Sequence, residues 1–225
     1  MPVFDYCERL SSSFWAEPIN ALSNIFFILG AYLALKHLCK SRLEQRDIFS
    51  FGLLIFVLTL IGTGSFLWHT YASPWAELAD VIPISIFMHF YLYFFSRNIM
   101  NFSLLVSLFF VLSFALINYL FSSYINLDSL NGSIAYLPAL LYLFIMAVII
   151  QKTPYIRSFI LAILTFSVSI CFRTIDFMVC EFISIGTHFV WHTLNAIFLY
   201  KLITLLVDAK KDVKQGGIGF KGKKY

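Results

Sequence analysis

Apolar residues are grouped in long blocks, separated by short polar stretches. Seven such runs stand out: Ile19–Leu38, Ile48–Thr70, Ala76–Phe95, Phe102–Phe121, Ile134–Ile150, Tyr155–Asp176 and Thr187–Val207. Each is close to the roughly 20 residues that an α-helix needs to cross a bilayer. The pattern predicts an all-α integral membrane protein, a seven-transmembrane helix bundle. The connections are short, and neither a soluble domain nor a solenoid repeat is apparent. One domain over residues 1–208 is expected, with residues 1–18 as an N-terminal loop and 209–225 as a basic tail.

Composition sharpens this. Of 225 residues 60% are hydrophobic and only 12% charged, against about 25% charged in a soluble domain. The solvent is therefore lipid. The basic excess reads as a topology signal, and no nucleic-acid partner is expected. The segment before the first run carries three acids and one arginine and lacks the basic start of a signal peptide. That run is accordingly expected in the mature protein.

Lys and Arg mark the cytoplasmic side of a membrane protein. Fourteen of sixteen fall on one side of the predicted bundle, including Lys36, Arg46, Arg97, Lys152 and the tail lysines, leaving Arg9 and Arg173 opposite. Eight of twelve acids lie with Arg9 and Arg173. The N-terminus is thus expected outside or in a lumen and the C-terminus in the cytoplasm. An odd number of spans agrees.

On this map the polar residues of the apolar runs converge. Ser65 and His69, four apart on one helix face, close the second run. Asp80 lies in the first turns of the third. His188 and His192, again four apart, open the seventh. All five reach a similar depth near the outer face. Two imidazoles at i and i+4 can meet one metal ion, and three histidines with an open position form a catalytic zinc site. Such residues are costly in lipid unless they serve one another or a metal. A nearby carboxylate must take and return the proton of the attacking water, a role that suits Asp80. Ser65 is placed to donate a hydrogen bond to an oxyanion. His89 lacks a matched partner and His37 sits at the inner edge; both read as structural, since a lone membrane histidine usually bonds a neighbouring helix. Arg173 and Asp176, three apart, read as a neutralising ion pair. Ser167, Ser169 and Thr174 are expected to bond back to their own helix or to face the bundle.

Asp5, Glu8 and Glu17, with Asn20 one turn further, offer hard oxygen ligands of the kind calcium takes; a solvated acidic loop is the alternative. Of the four cysteines, Cys7 and Cys180 both map to the outer side, so theirs is the pairing the topology favours.

These residues occur within a set of ordered motifs. They are Asp5-Tyr6-Cys7-Glu8, Glu17-Pro18-Ile19-Asn20-Ala21-Leu22-Ser23-Asn24, Gly64 to His69, Leu78 to Pro83, Arg173 to Cys180 and His188 to His192. Together they resemble the alkaline ceramidases, seven-span hydrolases of a superfamily that also holds the progestin and adipoQ receptors. The resemblance runs from Asp5 to about Tyr200. It implies hydrolysis of the amide of ceramide, or of another N-acyl amine, to a sphingoid base or amine and a fatty acid. It further implies zinc on His69, His188 and His192, with Asp80 on the water and Ser65 on the oxyanion. A Cys7–Cys180 disulfide is implied too, as is calcium on Asp5, Tyr6 (through its carbonyl), Glu8 and Glu17. The sequence departs from the family pattern at Leu10, where a calcium-ligating asparagine is expected, and in a shorter Glu8–Glu17 loop.

The partners implied are a lipid substrate and the surrounding membrane lipids. The compact loops fit a bacterial or otherwise minimal member, in a cell membrane if bacterial and otherwise in an endomembrane or the plasma membrane. The alternative is a receptor-like seven-span protein with a structural zinc and no turnover. The charge distribution opposes it, because that branch keeps its N-terminus in the cytoplasm. A transporter would need charges at mid-depth, whereas the ionisable residues here gather at one end.

Overall fold

The computed structural model describes residues 6–126 and 130–214. Asp5, Asp128 and the tail beyond Lys214 lie outside the described residues. Among the described residues there is no strand. The helices are α1 (Pro18–Ser23), α2 (Ile25–Lys40), α3 (Gln45–Tyr71), α4 (Pro74–Asn98), α5 (Leu104–Tyr124), α6 (Leu137–Ile149), α7 (Ile156–Thr174) and α8 (His188–Lys214).

Among the described residues six segments are long and apolar enough to cross a membrane: α1 and α2 together, α3, α4, α5, α7 and α8. The fifth apolar run forms a shorter segment, Ser133–Ile149, in which a 3-10 turn leads into α6. The result is a membrane-embedded helical bundle of six long apolar segments and one shorter one.

α3 packs along α4 and α2, and α8 packs along α7 and α2. Phe27, Leu54, Leu58, Phe95, Phe159, Ile203 and Leu206 fill the centre and are almost wholly buried. The outside is apolar as well. α5 turns Leu105, Phe109, Leu112 and Leu116 outward, at spacings of four and three that align them on one face. So large an apolar surface is stable against lipid and aggregation-prone in water.

The close approach of α3 to α4 rests on Gly64. A methyl group added there would fall on the Ala79 carbonyl, with the carbonyl carbon only 2.6 Å away. Pro83 has no N–H, so the Ala79 carbonyl lacks the donor it would meet one turn on in a regular helix. That carbonyl faces Gly64 instead. The contact brings the start of α4, and so Asp80, against the end of α3 that carries Ser65 and His69.

Candidate metal centre

The three histidines expected to act together do meet. One ring nitrogen from each of His69, His188 and His192 lies within 4.8 Å of the others, and all three residues are buried. His69 Nε2 and His192 Nε2 are 3.2 Å apart. Two imidazole nitrogens at that distance either share a proton or face a cation.

The opposite ring edges are anchored. His69 Nδ1 lies 2.6 Å from Glu17 Oε2, and His192 Nδ1 lies 2.7 Å from the Ser23 hydroxyl, which itself donates to the Asn20 carbonyl at 2.8 Å. Fixing one nitrogen selects the tautomer whose other nitrogen is free for a metal, the usual arrangement around ligating histidines. His188 Nδ1 is buried without a hydrogen-bond partner, which leaves this ring nitrogen free to meet a ligand. The residues present therefore fit a metal ion.

His188 is held by the loop before α8. Asp176 Oδ1 accepts from the backbone N–H groups of Thr187 at 2.6 Å and His188 at 3.0 Å, while Oδ2 accepts from Cys7 N at 3.1 Å. A carboxylate at these otherwise unpaired amides also complements the helix dipole. Gly186, at a φ of 65°, makes the turn, and a side chain there would strike Asp176 and Cys7. Cys7 and Cys180 are joined by a disulfide. Asp176 is thus a helix cap, and the expected Arg173–Asp176 ion pair does not form. α7 ends at Thr174, so the two residues do not share a helix face.

Arg173 turns into the site instead. It lines a polar chamber with Tyr6, Ser65, Glu77, Asp80, His188, His192 and Asn195. Its guanidinium sits 5.9 Å from the ring centre of Tyr6 and 5.6 Å from those of Tyr136 and Trp191. Tyr6 roofs the centre, its ring 3.9 Å from that of His188 and 5.0 Å from that of His69. Burial pushes the Tyr6 hydroxyl up to about 12. Ser65 Oγ lies 3.5 Å from His192 Nε2, and Asp80, half-buried, opens onto the same chamber.

An apolar cavity adjoins the chamber, lined from α3, α4, α5, α6, α7 and α8. Ile61, Ile84, Tyr136 and Asn195 line both spaces. The cavity is walled by Phe87, Met88, Leu92, Ala139, Leu143 and Met146 among others.

Of the oxygens expected to bind calcium, those of Tyr6, Glu8 and Glu17 have partners within the chain, and Asp5 lies outside the described residues. Glu8 accepts from Ile19 N at 2.7 Å with one oxygen and from Asn20 N at 2.8 Å with the other, capping α1. Burial raises its pKa, although those two amides work against the rise. Glu17 bonds Arg9 through Oε1, and His69 and Asn20 Nδ2 (3.1 Å) through Oε2. Burial pulls its pKa upward, but the hydrogen bond and charge of His69, then Arg9 and Asn20, outweigh it and hold the carboxyl below the usual range. The Tyr6 carbonyl accepts from Arg9 N at 3.2 Å. Leu10 is 85% exposed. Among the described residues, the oxygens of Tyr6, Glu8 and Glu17 are thus engaged within the chain.

Sequence reasoning missed Arg173, Arg9 and Ser23 as parts of the site, and gave Glu17 another task. One signal was available. Glu17, Asn20 and Asn24 form a polar stripe at helical spacing at the start of the first apolar run, and all three are buried.

No curated protein matches the chain at a significant level. The Ceramidase family model matches residues 3–216, nearly the whole chain. The chain belongs to the ceramidase family, which makes it a hydrolase acting on the amide bond of a lipid such as ceramide.

Proposed function

We propose that the protein is a zinc-dependent intramembrane amidase that cleaves ceramide or a closely related N-acyl lipid to a sphingoid base, or amine, and a free fatty acid. The observation that carries this reading is the junction of a three-histidine centre with an apolar cavity. An amide at the junction would keep its polar atoms in the chamber and its acyl chain among Phe87, Met88, Leu143 and Met146.

His69, His188 and His192 would hold the ion, which when bound would supply a Lewis acid and acidify water to a pKa of about 7. Glu17 and Ser23 fix the imidazoles. Asp80 takes the proton of the attacking water and returns it to the departing amine. Ser65 donates to the carbonyl oxygen as negative charge develops on it. Residues 1–208 act as one seven-span unit, with the short Ser133–Ile149 segment as the fifth span and residues 209–225 as a basic cytoplasmic tail. The N-terminus lies outside or in a lumen, supported by the Lys and Arg distribution and by a disulfide at that end. The receptor-like alternative is not favoured, since it leaves the open chamber beside Asp80 without a task.

The test is fatty-acid release by purified protein from N-acyl sphingoid bases and N-acyl ethanolamines. Release from the sphingoid series, and loss of turnover in Asp80→Asn with metal retained, is expected. Full turnover in Asp80→Asn would remove Asp80 from the reaction. A zinc-loaded protein that cleaves no amide would favour the receptor-like reading.

A further inference from the structure

Arg9 is a buried cation in a segment whose acids suggest a metal. It is 3% exposed. Its Nε bonds Glu17 Oε1, its Nη2 donates to the His69 carbonyl at 2.8 Å, and its Nη1 reaches the Ser11 carbonyl at 3.4 Å. One side chain thus gathers a carboxylate and two carbonyls from the loop, from the approach to α1 and from the end of α3. Binding several hard oxygens at one point of positive charge is what a divalent cation does. Among the described residues, the Glu8 and Glu17 carboxylates and the Tyr6 carbonyl already accept hydrogen bonds, and a second cation would meet the guanidinium as a like charge.

We propose that the Arg9 guanidinium takes the place of a bound calcium ion in this chain, so that the N-terminal segment holds the histidine centre in working order without calcium. Arg9 is a positioning residue. It fixes Glu17, Glu17 fixes the His69 ring, and Arg9 also grips the His69 backbone. Leu10 belongs to the same substitution. With the cation built into the chain, the side chain at position 10 has no ligand role and faces outward. The inference rests on the reading that the histidines hold zinc.

The experiment uses zinc-loaded full-length protein in calcium-free detergent buffer. Radioactive calcium binding and the melting temperature are followed as calcium is added, and zinc affinity is measured by competition with a chromophoric chelator. Wild-type protein is expected to bind no calcium saturably and to melt at the same temperature throughout. About one calcium per chain, abolished by Glu8→Gln and raising the melting temperature, would overturn the proposal. Arg9→Ala is expected to weaken zinc binding by about 10-fold or more, with partial recovery on adding guanidinium. Arg9→Lys should recover less than half of the loss, because an ammonium lacks the planar fork. Unchanged zinc affinity in Arg9→Ala would also overturn it. Should that variant fail to fold, the wild-type calcium titration decides alone. None of these readouts needs turnover. Calcium binding with zinc intact sinks this inference only, whereas a protein that takes up no zinc sinks the reading beneath it.

Discussion

The bundle carries a histidine–carboxylate pair at each end, and the two differ in everything except distance. At one end His37 Nε2 meets Asp208 Oδ1 at 2.7 Å, with the side chains 37% and 50% exposed. At the other, His69 Nδ1 meets Glu17 Oε2 at 2.6 Å, with both side chains almost wholly buried. The first pair links α2 to α8 in a solvated setting, where such contacts contribute little. The second has two more imidazoles on its far side, an arginine behind the carboxylate and a chamber opening beside it. A short contact alone does not mark a functional site. What marks one is burial, an unpartnered nitrogen and a free face where a ligand can bind.

The comparison can be broken by substitution, starting with the largest effect. His192→Ala should abolish metal binding and fatty-acid release together, read by elemental analysis and product assay on one sample. Asp80→Asn should keep the metal and lower kcat by about 10²- to 10⁴-fold. That split would separate the group that moves protons from those that hold the ion. Glu17→Gln keeps the shape of the carboxylate and removes its charge, and should weaken metal binding by about 10- to 100-fold. Gly64→Ala forces α3 from α4 and should cost about 1–3 kcal/mol, seen as a lower melting temperature with reduced turnover. His37→Ala, at the other end, should change stability by no more than about 1 kcal/mol and leave metal content unchanged.

Hydropathy read the helices well because lipid imposes one rule on every span. The run Ile48–Thr70 lies within α3, and Ala76–Phe95 within α4. It located membrane-like segments better than helix ends. α8 continues past Val207 to Lys214, since a polar helix can leave the apolar layer without unwinding. The fifth run is shorter as a helix than as a run, because part of it forms the 3-10 turn at Ser133–Tyr136. The histidines were legible because a four-residue spacing and a shared depth are properties of sequence and topology. The partners of Glu17 were not. A carboxylate that serves Arg9, His69 and Asn20 looks, in one dimension, like any acid of a calcium loop. Arg173 was misread because spacing of three implies a shared helix face only if the helix continues, and here it ends at Thr174.

The most direct test of the central claim is to remove and restore the metal. Purified protein should contain about one zinc per chain, lose fatty-acid release on chelation and regain it with zinc but not with calcium. Undiminished turnover by protein stripped of all metal would contradict the account, and the three imidazoles would then be a packing cluster.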